Sequence, residues 1–104
     1  MTLRVLLEAE LESTAAAVRY ETERLGLGAE YLQELDVALS LIEAHPLHHP
    51  RYEAVTSTRY YRRVVLKRFP YVVIYEIRPD ENLIVAIAHA SRQPGYWLNR
   101  LPEE

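Results

Sequence analysis

Basic side chains that could bind an anion are concentrated in the second half of the sequence. Residues 51–100 carry nine Lys or Arg against four Asp or Glu, whereas residues 1–50 carry three against nine. Two basic pairs, Arg62-Arg63 and Lys67-Arg68, fall within one short segment rich in Val and Tyr. Clustered guanidinium and ammonium groups attract phosphates and carboxylates. The second half therefore predicts a cationic surface that suits nucleic acid or an acidic protein segment.

Other kinds of chemistry are disfavoured by residues that the sequence lacks or scatters. There is no cysteine, so a disulfide, a thiolate nucleophile and a thiolate zinc site are all excluded. His45, His48 and His49 lie close together, but adjacent side chains diverge and no carboxylate lies beside them. We therefore predict no metal site and no cofactor. His89 is interpreted as a hydrogen-bonded structural residue, and no glycine-rich phosphate loop, paired carboxylate site or serine triad is visible.

Length and composition predict the class of protein that must hold these residues in place. The 104 residues are 49% hydrophobic and 26% charged, which is typical of one soluble domain spanning residues 1–104. No apolar run approaches the ~20 residues that a membrane span needs, and no cationic then apolar leader opens the chain. The expectation is a cytoplasmic protein without a membrane partner.

Hydrophobic spacing predicts a strand and two helices in the first half. Alternation over residues 3–7 indicates a short strand, and a helix follows from about Glu8 to Leu25, closed by Gly26 in a left-handed conformation. A second helix runs from about Ala29 to Ala44, and Pro46 prevents its continuation. Only Gly26-Leu27-Gly28 joins the helices, so they must form an antiparallel hairpin.

The same spacing predicts which sides of the two helices face the core. The apolar stripes are Leu7, Leu11, Ala15, Val18 and Leu25 on the first helix, and Tyr31, Leu32, Leu35, Leu39 and Ile42 on the second. Glu8, Glu12 and Glu23 are predicted to form an exposed, solubilising face.

The second half predicts a long loop followed by three strands. The loop runs from His45 to Ser57, and the strands cover about Arg59–Arg68, Tyr71–Arg78 and Leu83–Ser91. Turn-like connections favour an antiparallel meander, which the first strand must join because an isolated strand is unstable. The predicted fold is α+β, in the order βααβββ, with the helical hairpin packed on a small antiparallel sheet.

Alternation within the first of these three strands divides its basic residues between two faces. One face carries Tyr61, Arg63, Val65 and Lys67, and the other carries Arg62, Val64, Leu66 and Arg68. At least one arginine near the start of the strand must therefore lie close to the core side or the edge.

An ordered set of residues along almost the whole chain resembles the RelE/ParE superfamily of bacterial toxins. The set comprises Tyr20-Glu21, Gly26-Leu27-Gly28, Tyr31-Leu32, Ile42, Pro46, Arg62-Arg63, Phe69-Pro70-Tyr71, Ile74-Tyr75, Ala88-His89, Arg92, Pro94 and Trp97. The resemblance implies the toxin of a type II toxin-antitoxin pair, of the kind called plasmid stabilisation proteins. It also implies neutralisation by a cognate acidic antitoxin, with a heterotetramer as a possible assembly.

The resemblance further implies which residues act. RelE-like members are ribosome-dependent mRNA endoribonucleases that need cations for the phosphate and a group that exchanges protons. Arg63 and Arg92 match two of the basic positions and Tyr96 lies near the tyrosine position, so these three are the catalytic candidates of a nuclease. Val72, however, stands where such nucleases carry an arginine, and the tail over residues 92–97 resembles ParE-type tails.

The leading interpretation is therefore a ParE-like toxin that inhibits DNA gyrase by binding, with no catalytic activity of its own. Its predicted partner-binding residues are Arg62, Arg63, Arg68, Arg92 and Trp97. A RelE-like ribonuclease acting on mRNA in the ribosome is the alternative. A degenerate module that only binds its antitoxin is a third, and the acidic pI of 5.8 gives it some support.

Overall fold

Two helices and a four-stranded sheet form the structure, a computed structural model that describes residues 2–55 and 59–101. The elements are β1 (Thr2–Val5), α1 (Leu7–Glu23), α2 (Leu27–Ala44), β2 (Tyr61–Val65), β3 (Tyr71–Ile77) and β4 (Glu81–His89), followed by a short 3-10 helix at Leu98–Arg100. The strand order in the sheet is β1-β4-β3-β2. This order confirms the predicted α+β fold with its βααβββ arrangement.

The sheet is mixed, because β1 joins it differently from the other strands. β2, β3 and β4 form the predicted antiparallel meander, whereas β1 pairs with β4 in parallel. Parallel neighbours need a long crossover connection, and here the helical hairpin and the meander together supply it. The sequence had predicted a wholly antiparallel sheet, and the parallel pairing of β1 corrects that detail.

Aromatic side chains attach the helices to one face of the sheet and the C-terminal tail to the other. Tyr71 of β3 packs edge-on against Tyr31 of α2, with ring centroids 5.3 Å apart, and against Tyr20 of α1 at 6.2 Å. On the opposite face, Trp97 packs edge-on against Tyr61 of β2 at 4.8 Å. The core thus lies on both sides of β3 and β4.

The side of α1 that faces the core is not the predicted one. Leu7, Leu11 and Val18 leave 65%, 59% and 61% of their surface exposed, and Leu25 beyond the helix is exposed as well. The buried positions are instead Ala9, Ala16 and Ala17. Leu7 is also the first residue of α1 rather than part of β1. Small residues face the core because α1 packs too closely for leucine.

Gly28 shows how close the two helices lie. A Cβ at this position would be 2.5 Å from the backbone oxygen of Ala17, which no real Cβ tolerates. α2 buries Gly28, Tyr31, Leu35, Ala38 and Ile42, so its predicted stripe is confirmed except at Leu32, which is 45% exposed, and Leu39, which is partly buried. Gly26 has the predicted left-handed conformation, with φ of 89°.

The strands of the meander are displaced from their predicted bounds. β2 ends at Val65, and the backbone N–H groups of Lys67 and Arg68 donate to the Glu34 carboxylate at 2.5 and 3.2 Å. Those two side chains therefore follow no strand alternation. β4 begins and ends two residues earlier than predicted. The long loop has backbone contacts with β2 through Pro50, Arg51 and Tyr52, and its predicted end at Ser57 lies outside the described residues. Across the described ranges, neither helix is long and apolar enough to cross a membrane.

Candidate functional site

A basic cleft lies on the face of the sheet that is turned away from the helices. We call it the sheet cleft; its volume is about 230 Å³, and Arg63, Val65, Val72, Ile74, Ala88, His89, Arg92, Tyr96 and Trp97 are among its lining residues. Strand register positions the floor, because Val65 pairs with Val72 and Val72 with Ala88. Arg63 precedes Val65 by two residues on the same face of β2 and pairs with Ile74. Arg92 approaches from the turn after β4. All three predicted catalytic candidates, Arg63, Arg92 and Tyr96, therefore line the same cleft.

The centre of the sheet cleft is apolar. Val72 lies between Val65 and Ala88 in the sheet. The resemblance to RelE-like nucleases implies an arginine at this position, and this chain has a valine there. No carboxylate lines the cleft within the described residues. Two guanidinium groups separated by a valine can bind acidic groups, but they surround a phosphate less completely than a cluster of three cations does.

The tyrosine of the cleft is held as a hydrogen-bond donor. The Tyr96 hydroxyl donates to the Glu12 carboxylate of α1. The guanidinium carbons of Arg92 and Arg100 lie 3.7 and 5.0 Å from the centre of its ring. Burial raises the pKa of Tyr96 far above its ordinary value, and the hydrogen bond to Glu12 raises it further. The phenol therefore keeps its proton and cannot serve as a base.

The histidine of the cleft is occupied in a similar way. His89 Nδ1 accepts a hydrogen bond from the backbone N–H of Ser91 at 3.0 Å and lies 2.7 Å from the Ser91 hydroxyl. Because a backbone N–H can only donate, Nδ1 is the unprotonated nitrogen and the ring proton is on Nε2. The nitrogen that could accept a proton is thus already bonded. His89 is the hydrogen-bonded residue that the sequence indicated.

Glu12, beside the cleft, accepts hydrogen bonds from several parts of the chain. The prediction that it is an exposed, solubilising residue is wrong. Arg100 binds it through two hydrogen bonds of 2.8 and 2.9 Å, and the backbone N–H of Ile87 donates to it at 3.0 Å. Burial would raise the pKa of this carboxyl, but the hydrogen bonds from Arg100, Tyr96 and Ile87 outweigh burial and lower the pKa. The Ile87 amide that donates to Glu12 lies on the edge of β4 that β1 no longer covers, because β1 pairs with β4 only as far as Ile84.

The other predicted partner-binding residues lie away from the sheet cleft or inside the core. Arg62 faces the helix side of β2 and donates to the backbone oxygen of His49 at 2.7 Å. Arg68 forms an ion pair of 2.8 Å with Glu30 on α2. Trp97 lies in the wall of the sheet cleft but is fully buried, so its indole offers no exposed surface to a partner. Arg63 and Arg92 are the two predicted partner-binding residues that the structure brings together.

Sequence reasoning missed the pairing of Glu12 with Arg100, since 88 residues separate them and neither sits in a recognisable motif. It also missed the outward apolar side of α1. The exposed Leu7, Leu11 and Val18 are spaced like a core stripe, so their pattern alone pointed the wrong way. Ala9, Ala16 and Ala17 were the available signal for close packing of the other side.

A comparison with solved structures identifies the fold. The structure is similar to that of the chromosomal ParDE TA system from P. aeruginosa, with a TM-score of 0.72, 15% sequence identity, and coverage of 86% of this chain and 95% of that chain. At this identity the likeness concerns the fold alone. Among curated proteins, no sequence matches the chain.

Sequence comparison then gives the family. A family model described as the ParE toxin of type II toxin-antitoxin system, parDE, matches residues 5–94. The chain therefore belongs to the ParE toxin family of type II toxin-antitoxin systems, which confirms the predicted superfamily and implies an antitoxin partner. The match includes both helices, all of β2 to β4, Arg63 and Arg92, and it ends before Tyr96.

Proposed function

We propose that this ParE-family protein is a toxin that inhibits DNA gyrase by binding to it and performs no RNA cleavage. One observation supports binding over cleavage: the sheet cleft presents Arg63 and Arg92 around Val72, and its lining within the described residues includes no group that is free to accept a proton. Tyr96 donates its proton to Glu12, and His89 Nδ1 is occupied by Ser91. Cleavage by a ribose hydroxyl requires a group that takes its proton, so this geometry favours binding over catalysis.

The proposed antagonist is a cognate acidic antitoxin, assembled with the toxin as a heterotetramer. Arg63 and Arg92 have no carboxylate partner among residues 2–55 and 59–101, so acidic side chains of the antitoxin can pair with them. Charged groups at such a surface contribute chiefly to association rate and specificity. Light scattering of the co-purified complex gives its stoichiometry.

Two assays of the same induced cultures test the proposal. Production of the toxin without antitoxin should relax plasmid supercoiling and induce DNA damage signalling, while primer extension on a translated reporter shows intact mRNA at early times. Purified toxin should inhibit gyrase supercoiling, and the antitoxin should restore it. Codon-positioned cuts that vanish in Arg92→Ala or Tyr96→Phe would overturn the proposal in favour of a ribonuclease.

Matched arginine variants connect the effect to the cleft. We expect Arg63→Ala and Arg92→Ala each to weaken gyrase inhibition about tenfold, the usual loss for one charged contact of about 1.4 kcal/mol. Arg51→Ala is the control, because Arg51 is also exposed, stacks on an aromatic ring (Tyr60, 4.3 Å) and does not line the cleft. Inhibition that is equally weak in all three variants would show that general charge, and not this cleft, matters.

A further inference from the structure

A second polar cleft lies on the helix side of the sheet, between α1 and the C-terminal end of β4. We call it the helix cleft; its volume is about 360 Å³, within the range of ligand-binding pockets. Ala15 and Ala16 of α1 form part of its wall and leave room where larger side chains would fill it. Arg19, Tyr71, His89 and Arg92 supply polar groups from α1, β3, β4 and the turn after β4. The helix cleft shares His89 and Arg92 with the sheet cleft, but the function proposed above does not use its α1 wall or Arg19.

Hydrogen-bond donors converge in the helix cleft. Arg19 Nη2 donates to the Tyr71 hydroxyl at 2.5 Å, so the phenol acts as acceptor there and its own proton is available for another acceptor. The His89 ring lies 5.2 Å from that of Tyr71, and because its Nδ1 accepts from Ser91, its Nε2 carries a proton to donate. Charged and neutral donors from three elements therefore line one space.

The positive charge in the helix cleft is not compensated. Neither Arg19 nor Arg92 forms an ion pair with any carboxylate in the described part of the chain. Glu12 also lines the cleft, but its two oxygens are bound by Arg100, Tyr96 and Ile87, so its charge is already matched by Arg100. Two guanidinium charges remain for a ligand.

We propose that the helix cleft binds the phosphate group of a phosphate monoester or of free phosphate. Such a group carries a charge of about −1.5 to −2 at pH 7 and three acceptor oxygens, which match two uncompensated arginines and the neutral donors of Tyr71 and His89. A carboxylate carries one charge and two oxygens and leaves part of this donor set unused. The shared chemistry is a terminal phosphate oxyanion.

Nuclear magnetic resonance of the full chain tests this directly. Titration with inorganic phosphate at pH 7.5, with ionic strength held constant by chloride, should give saturable shifts at the Arg19 and Arg92 Nε–H groups and the Ser91 amide. Arg19→Gln and Arg92→Gln should each raise the dissociation constant about tenfold, while Arg19→Lys retains part of the affinity. Arg51→Gln, an exposed arginine outside the helix cleft, should bind as the unmodified chain does.

Further titrations separate the sources of the phosphate. AMP that binds more tightly than inorganic phosphate at the same resonances supports a nucleotide ester, and glycerol 3-phosphate that does so supports a simple alcohol ester. Acetate that binds as tightly as phosphate overturns the assignment. Shifts that grow without saturation, or that chloride produces equally, indicate an adventitious ion only and also overturn the assignment. A loss of affinity in Arg51→Gln as large as that in Arg19→Gln overturns it too. Each variant is compared only if its spectrum retains the dispersion of the folded chain.

Discussion

Individual residues around Glu12 show how one carboxylate can connect three parts of the fold. Its oxygens receive the Arg100 guanidinium from the C-terminal segment, the Tyr96 phenol and an amide of β4, while the residue itself belongs to α1. The side chains of Glu12 and Arg100 are only 16% and 15% exposed. A nearly buried ion pair stabilises a fold only when its remaining hydrogen-bonding groups are satisfied, and here they are.

The lowered pKa of Glu12 predicts a specific dependence of stability on pH. Because the folded-state pKa lies below the ordinary 4.5, the charged carboxylate stabilises the fold above that value, and this stabilisation is lost as the pH falls through the folded-state pKa. Glu12→Gln should lower the free energy of unfolding by about 1–2 kcal/mol at pH 7. The deficit should shrink as the pH falls from 4.5 towards 3.

Urea denaturation between pH 7 and pH 3 measures this change. Glu30→Gln is the control, since Glu30 pairs with Arg24 and Arg68 on the surface and exposed pairs contribute little. A Glu12→Gln deficit that is constant over the whole pH range would contradict the assigned role of its charge.

At the scale of elements, the contact between α1 and α2 depends on the absence of a side chain at Gly28. Gly28→Ala gains about 1 kcal/mol of helix propensity but directs a Cβ to 2.5 Å from the Ala17 oxygen. We expect a net loss of about 1–3 kcal/mol in thermal or urea unfolding, because overpacking forces the helices apart. Gly26→Ala, with open space around it but φ of 89°, should cost about 1–2 kcal/mol through backbone strain alone. A more stable Gly28→Ala variant would refute the close helix contact.

The elements were predicted well from the sequence, but their orientation was not. Periodicity identified both helices and the three strands of the meander, because amphipathic and β-branched patterns are local properties of the chain. Which side of α1 faces inward depends on how near its neighbours lie, and only the fold decides that. The alanines at positions 9, 16 and 17 fit where Leu11 and Val18 would not.

The outward apolar side of α1 predicts where a partner contacts this element. Leu7, Leu11 and Val18 are spaced by four and seven residues and lie on one exposed side. Leu11→Glu with Val18→Glu should leave the melting temperature within about 2 °C of the unmodified chain and weaken antitoxin binding at least tenfold, measured by calorimetry. Val37→Glu on α2, a residue that is 56% exposed, is the control. A large fall in melting temperature would mean that the two side chains stabilise the fold itself.

The whole molecule redistributes the charge asymmetry of the sequence. Arg68 pairs with Glu30, Arg100 with Glu12 and Glu81 with Arg4, so folding joins opposite charges from the two halves of the chain. The excess of basic residues was evident from the composition, but only the fold shows which arginines are left without a carboxylate partner within the described residues. Arg63 and Arg92 were predicted as a site and do share a cleft; Arg62 and Arg68, predicted with them, serve contacts within the chain.

This redistribution gives the final prediction, which compares two double variants with the same change in net charge. Arg63→Glu with Arg92→Glu should weaken antitoxin binding at least a hundredfold and flatten its dependence on salt, because both charges are free to pair with acidic groups of the partner. Arg62→Glu with Arg68→Glu should change binding much less, because Arg68 pairs with Glu30 within the chain, and should lower the stability of the toxin chiefly through Arg62, which anchors the loop after α2. Calorimetry of the complex from 50 to 500 mM NaCl, with thermal unfolding of each toxin alone, distinguishes the two pairs. Equal losses of affinity would mean that the antitoxin responds to total charge, and the sheet cleft would then lose its assignment as the antitoxin contact.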